Sequence, residues 1–236
     1  LLALDKLLEG TIYQSYARAV SASSPGGGVA DVHNLVTLSR WPILNFQSIR
    51  NTLVPLLSYR PLTSIPPAAE PLKIAFERPI LVADIEAASG RVVTVINVHY
   101  RAPIAAPVPG QKENASVWRS VSGWAEGYAI AAWKRTAQAL ETRLVIDGLL
   151  ETDASRFLIV AGDFNAEDHE TPLKILIGAE EDTGNGRLAE RTLVVLDRSI
   201  SEDRRFSVLY HGRAQMLDHI LASWQSLAHF RGIEAH

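Results

Sequence analysis

Val160-Ala161-Gly162-Asp163-Phe164-Asn165-Ala166 carries an apolar strand into a glycine, then sets a carboxylate and a carboxamide two residues apart. Side chains alternate along an extended chain, so a spacing of two aims Asp163 and Asn165 the same way just beyond the strand. An aspartate there can bind a hydrated metal or orient an attacking water, and an asparagine can donate to a phosphate oxygen. The competing reading is a plain turn, because Gly, Asp and Asn are all turn formers.

Outward from this stretch, Phe157 to Ala161 reads as a buried strand. Val92 to Val98 is a second one, apolar on both alternating faces except at Thr94 and Asn97. It runs into Asn97-Val98-His99, where His99 can stabilise a phosphate or a leaving oxygen. A lone histidine at a strand end is also a common hydrogen-bonded structural residue. Between the two strands lies one long helical region. Ile130, Trp133, Ala137, Leu140 and Leu144 recur at spacings of 3 and 4, with Lys134, Arg135, Gln138, Glu141 and Arg143 on the remainder. That spacing favours core packing for Trp133.

Downstream, strand alternation in Gln215 to Ser223 puts Met216, Asp218, Ile220 and Ala222 on one face, and Leu217, His219 and Leu221 on the other. Asp218 shares its face with apolar residues and is expected to be partly buried. A buried carboxylate needs a partner, either a catalytic histidine or backbone amides. His219 points away from that face.

The remaining segments are shorter. Leu1 to Gly10 reads as the end of an amphipathic helix, stopped by Gly10. Ser21 to Gly28 is a flexible loop, and Pro61 to Pro71 a proline-rich one. Apolar runs cover Leu35–Leu38, Ile43–Phe46 and Leu53–Leu57. Strand-like runs cover Leu72–Phe76, Ile80–Ile85, Phe206–Tyr210 and Met216–Ala222, and a short helix covers Pro172–Ile177. Ala87 to Gly90 is a turn. Strands predominate, helices are interspersed and no repeat is visible, which predicts an α/β domain with two sheets packed inside helices.

Bulk composition narrows the function classes. The 236 residues are 47% hydrophobic and 21% charged, ordinary for a folded globular chain, and long enough for one large domain. A net charge of −3 excludes a general polyanion binder but leaves room for a locally basic groove. The absence of cysteine removes disulfides, thiolate nucleophiles and zinc–cysteine sites. No apolar stretch approaches the roughly 18 residues of a membrane span, and both cytoplasmic and secreted locations stay open. Leu1-Leu2-Ala3-Leu4-Asp5 has neither an initiator Met nor a signal-peptide pattern, so the chain is expected to begin inside a larger protein.

Asn97-Val98-His99, Gly162-Asp163-Phe164-Asn165 and Leu217-Asp218-His219-Ile220-Leu221 together resemble, in order and rough spacing, the endonuclease/exonuclease/phosphatase superfamily. Leu38-Ser39-Arg40-Trp41-Pro42-Ile43 also looks like a strand of that family. Tyr210-His211-Gly212-Arg213 is similar to its bacterial nuclease-like members. The likeness spans Leu1 to about Ser223. It implies a four-layer α/β sandwich, with two packed, mostly antiparallel sheets flanked by helices. It also implies a phosphodiester hydrolase dependent on Mg²⁺ or Mn²⁺, with Asp163 and Asn165 at the metal.

By the same resemblance His99 contacts the phosphate, and Asp163 orients or deprotonates the attacking water. Asn165 holds a phosphate oxygen and Asp218 orients a catalytic histidine. Arg101, just after His99, is a candidate phosphate contact. The implied substrate is a phosphodiester, nucleic acid first, with phosphatase or lipid phosphodiesterase activity as the alternative. A binding domain that lost its metal is the reading from another class. Members carry an Asn and a metal-binding Glu on two strands before the opening helix, and a terminal Ser-Asp-His. None has a match here, so residues 1–236 are expected to be a single domain truncated at both ends. Glu167-Asp168-His169-Glu170 resembles a metal cluster but reads better as a solvated loop and helix start. Trp118 and Trp124 stay open between core packing and base stacking.

Overall fold

The computed structural model describes residues 2–23, 27–29, 34–88 and 90–234. Parts of the Ser21–Gly28 loop and of the Ala87–Gly90 turn lie outside the described residues, as do both end residues, 1 and 236. In chain order the elements are α1 (Leu2–Leu8), β1 (Ala17–Val20), β2 (Val36–Ser39), β3 (Ile43–Ile49), β4 (Leu57–Tyr59), β5 (Leu72–Ile74), β6 (Ile80–Glu86) and β7 (Val92–His99). There follow α2 (Val121–Thr152), β8 (Phe157–Asp163), α3 (Thr171–Ile177), α4 (Glu180–Thr183), β9 (Leu193–Val195), β10 (Val208–Tyr210), β11 (Arg213–Gln215) and β12 (Asp218–Ser223).

The central sheet has the order β3-β6-β7-β8-β12-β9. Its pairs are antiparallel except β7 with β8, which run parallel because α2 carries the chain back between them. On one face, Ile96, Val98, Leu158, Val160 and Leu221 pack against Ala139, Ile146 and Leu150 of α2 and Leu173 and Leu176 of α3. On the other face, Ala19 and Leu35 from the β1–β2 pair and its entry cover Leu81 and Ala83 of β6. Sheet therefore lies on sheet, with α2 and α3 on the outer face of the larger one, in keeping with the α/β sandwich expectation. The second sheet is two strands wide among the described residues.

A third, smaller cluster joins Ala106, Val108, Ile130 and Ala131 to Tyr59, Ile74 and Trp118. Gln138 of α2 binds the Arg101 amide just past the end of β7, so residues 121–137 of the helix overhang that end of the sheet. At 1.5 Å per residue the overhang is roughly 25 Å. The β4–β5 hairpin and the loop after β7 pack on it.

The structure corrects several details. β1 and β9 occupy stretches where no strand was expected, and of the Leu53–Leu57 run only Leu57 enters a strand. The last hairpin, β10–β11, turns at His211 and Gly212, both with positive φ, and excludes Phe206. The face of α2 also differs. Trp133, Leu140 and Leu144 are each more than 40% exposed, whereas Arg135, Gln138, Glu141 and Thr142 are buried. Trp133 is therefore not core; it meets Tyr59 edge-on with ring centres 4.9 Å apart.

Candidate active site

The two strands of the parallel pair, β7 and β8, end together. Register sets His99 beside Asp163 across β7 and β8, and Asp218 directly opposite Asp163 across β8 and β12. Three polar residues thus form a row across three adjacent strands, at one end of the sheet. His99 Nε2 lies 3.2 Å from Asp163 Oδ2, with both side chains about a third exposed. Asn165, with φ 48°, turns back so that its amide donates to Asp163 Oδ1 at 2.8 Å. Its Nδ2 donates to the Tyr100 carbonyl at 3.0 Å, and Asn165 itself is buried.

Gly162 makes the close approach of the two strands possible. Its φ is 143°, and a Cβ there would stand 1.9 Å from the Val98 carbonyl oxygen. Phe164, between the two polar residues, points into the core and meets Tyr100 edge-on at 5.3 Å. The chain does turn, as the turn reading expected, and the turn leaves Asp163 beside His99.

Electrostatics favour an ionised Asp163. Burial alone would raise its pKa. The hydrogen bond from His99, the Asn165 amide, and the charges of His99 and Arg78 outweigh burial and hold the carboxyl below the usual carboxylate range.

Arg78 is a residue that sequence reasoning missed. It precedes β6, and the β6–β7 register brings it level with Tyr100. Its Nη1 donates to the same Tyr100 carbonyl that accepts from Asn165, at 3.1 Å. Burial lowers its pKa, while the charges of Asp163 and Glu77 act the other way. No local signal in Phe76-Glu77-Arg78-Pro79 marks it; only the register of the hairpin does.

The other candidates fall differently. Arg101 turns its guanidinium to the Ile104 carbonyl at 3.2 Å, with Glu77 3.9 Å away, and Glu77 is paired at 2.5 Å with Lys134. Asp218 keeps the predicted face but not the predicted burial: it is exposed, because it is the first residue of its strand. Among the described residues no histidine is bonded to it. His219 is 2% exposed on the opposite face, with Nδ1 2.9 Å from Asp197 Oδ2 and Nε2 2.9 Å from the Ala166 carbonyl.

Glu167 to Glu170 is the loop and helix start that its composition suggested. Asp168 is held at both oxygens by Arg198, at 2.7 and 2.9 Å, and Glu170 accepts the Glu167 amide. Trp118 joins the small cluster over α2 and has Lys112 above its ring, while Trp124 is 45% exposed.

Among the described residues no three His, Asp or Glu side chains form a closed metal cage. What the site offers is a set of hard oxygen donors: the Asp163 carboxylate, the opposed Asp218 carboxylate and the Asn165 carboxamide oxygen, which accepts no hydrogen bond from a described residue. Mg²⁺ is commonly held by one or two carboxylates and keeps several waters, so this donor set fits a hydrated Mg²⁺ or Mn²⁺. Two like charges directly opposite across a strand pair also repel, and a cation between them removes that cost.

No protein-family model and no curated protein matches the sequence. Solved structures do match the fold. The endonuclease/exonuclease/phosphatase from Bacteroides vulgatus aligns with a TM-score of 0.51 at 14% identity, over 94% of this chain and 68% of that one. A family protein of the same description from Bacteroides thetaiotaomicron aligns at 0.50 and 12%, over 95% and 65%. TDP2 from Caenorhabditis elegans aligns at 0.50 and 11%, over 94% and 51%. The chain thus spans about half to two thirds of the length of these structures. Its fold is the α/β sandwich of the endonuclease/exonuclease/phosphatase proteins.

Proposed function

We propose that this chain carries the catalytic end of a divalent-metal-dependent phosphodiester hydrolase acting on nucleic acid, by in-line attack of water on phosphorus. The observation that carries the reading is the row His99–Asp163–Asp218 across three neighbouring strands, with Asn165 folded back onto Asp163. The two Bacteroides structural neighbours, both endonuclease/exonuclease/phosphatase proteins, support the same reaction class.

Asp163 and Asn165 would hold the metal, with Asp218 facing them, and the bound ion would supply charge neutralisation at the phosphoryl oxygens. Asp163, ionised, accepts a hydrogen bond from water and orients it toward phosphorus. His99, donating from Nε2 to Asp163 in the free protein, turns that donor to a phosphoryl or leaving oxygen when substrate enters. Asn165 steadies Asp163 through its amide and gives its carboxamide to the same cluster. Tyr100, 1% exposed and bonded to Thr142, keeps its carbonyl fixed as the anchor for Asn165.

The test is a substrate panel with the full-length protein: plasmid DNA, RNA, an inositol phosphate, sphingomyelin and bis(p-nitrophenyl) phosphate, each with Mg²⁺, Mn²⁺ or excess chelator. Expected is metal-dependent cleavage of nucleic acid and of the generic diester. Cleavage of sphingomyelin or of the inositol phosphate alone would move the substrate class, and undiminished turnover in chelator would overturn the mechanism.

A further inference from the structure

We infer that Trp124, with Arg119 beside it, is a base-stacking platform that grips a single nucleic-acid strand well away from the phosphodiester being cut. The inference rests on the nucleic-acid reading above and adds a contact that the catalytic row does not supply.

The platform stands at the free tip of α2. Gln138 marks the level at which the helix passes the end of β7, and the stretch from there out to Trp124 is roughly 21 Å long at 1.5 Å per residue. A stacked strand rises about 3.4 Å per nucleotide, so the span is on the order of six nucleotides, and fewer when the strand is stretched.

The frame around the platform is fixed. Ser120 caps the helix, accepting the Gly123 amide at 3.0 Å and donating to Gln111 Oε1 at 2.7 Å, and the Arg119 amide donates to the Gln111 carbonyl at 2.9 Å. The edge of the Trp118 ring lies against the α2 backbone at Gly127, where a Cβ would stand 2.9 Å from it. Lys112 covers one face of that ring, with Nζ 4.7 Å from its centre. Trp118 is thus a wall. Trp124 is 45% exposed and meets Tyr128 at a tilt of 33°, with ring centres 5.6 Å apart. Trp118, Arg119, Val121 and Trp124 line a cavity of about 330 Å³, inside the roughly 300–1,000 Å³ range of small-ligand sites. A cavity whose walls are set before the ligand arrives costs little ordering on binding.

Charge selects the ligand. Arg119 is exposed, and among the described residues its guanidinium has no hydrogen bond and no ion pair. Glu126, one turn into the helix, is turned inward to Tyr59, Leu62 and Thr63, which leaves Glu113 against Lys112 and Arg119. On a chain of net charge −3 such a spot does not come from general basicity. A free cation next to an open indole suits an anionic strand whose bases present flat π-faces. An apolar protein segment laid over the same place would desolvate Arg119 without pairing it.

The experiment measures the anisotropy of a 5′-fluorescein-labelled twelve-residue oligothymidylate on the full-length protein in excess chelator, so that binding is read without cleavage. Trp124→Ala is expected to weaken binding about tenfold at an unchanged melting temperature, as loss of one base–aromatic stack does. Trp124→Phe keeps a ring and is expected to stay within about threefold of wild type. Arg119→Ala is expected to reduce the salt slope by about one. An abasic strand of the same length keeps its phosphates and loses its π-faces, so it should bind wild type and Trp124→Ala alike. Absence of oligothymidylate binding by wild type, or equal affinity for wild type and Trp124→Ala, overturns the platform. An equal loss on the abasic strand overturns it too, because Trp124 would then act through the structure. Wild-type hydrolysis of bis(p-nitrophenyl) phosphate in Mg²⁺ is measured alongside, since that diester carries no base and reports on the catalytic row alone. Failure there with Trp124-dependent binding intact overturns the hydrolase reading and upholds the platform.

Discussion

Asp163 and His219 are both acidic-site neighbours on paired strands, yet the fold gives them opposite tasks. Asp163 faces the row with His99 and Asp218; its replacement by Asn keeps the shape and removes the charge. Asp163→Asn is expected to reduce turnover of the full-length protein by about a hundredfold or more with an unchanged melting temperature, which steady-state kinetics and a thermal melt decide together. Gly162 is a stricter case. Alanine there would meet the Val98 carbonyl, and Gly162→Ala is expected to cost roughly 2–4 kcal/mol in urea unfolding, with an unshifted midpoint as the contrary result. His219 is held by Asp197 and the Ala166 carbonyl, two acceptors, so only the doubly protonated ring donates to both. Burial lowers its pKa, but the Asp197 bond and charge outweigh burial and raise it above the ordinary value. The sign follows from linkage: the stabilisation is complete below the unfolded value of about 6.5 and is lost as pH rises through the higher folded value. Denaturant midpoints of wild type and His219→Gln across pH 5 to 9 should therefore converge toward the alkaline end. A gap that widens with pH would mean a neutral ring.

At the scale of elements, α2 shows how a good periodicity can select the wrong face. Trp133, Leu140 and Leu144 satisfy helical spacing, yet all three are exposed, and Trp133 and Leu140 line a cavity of about 610 Å³ together with the β4 segment. The face turned to the protein carries Glu126, Gln138 and Glu141 because three loops end there with unpaired backbone amides, and Thr142 because it accepts the buried Tyr100 hydroxyl. Glu141, fully buried, accepts the amides of Asn51, Thr52, Leu53 and Val54 at 2.7 to 3.2 Å. Glu126 does the same for Leu62 and Thr63, at 2.5 and 2.8 Å. A carboxylate that closes four amides is worth more at that place than a leucine. Glu141→Ala is expected to destabilise by about 3 kcal/mol or more, since it strands those amides in the interior. Glu141→Leu should fare no better despite its added apolar surface. Equal urea midpoints for Leu and wild type would show the amides find other partners.

For the whole molecule, the proposed catalysis depends on the sheet holding three strand ends level. Chelator is therefore expected to abolish hydrolysis by the full-length protein, with Mg²⁺ or Mn²⁺ restoring it, while the melting temperature falls only slightly, by the repulsion of one opposed carboxylate pair. A collapse of the fold on chelation would assign the ion a structural role instead. Much of this architecture was legible in the sequence. The apolar runs of Val92–Val98 and Phe157–Ala161 identified two central strands, because cover on both faces leaves few polar positions, here Thr94 and Asn97. His99, Asp163 and Asn165 stood out because polar side chains directly after such strands are confined to the sheet's rim. The opposite faces of Asp218 and His219 followed from alternation alone. These are local properties, set by backbone geometry within a few residues. The tertiary structure decided what depends on residues far apart in sequence. The exposure of Asp218 depends on its being first in its strand, and the buried face of α2 on loops nearly ninety residues upstream. Arg78 enters the site only through the register of β6 on β7 and a carbonyl that it shares with Asn165, 87 positions away. A sequence specifies which residues can turn toward one another; the partner that completes each hydrogen bond is chosen only when the chain has closed.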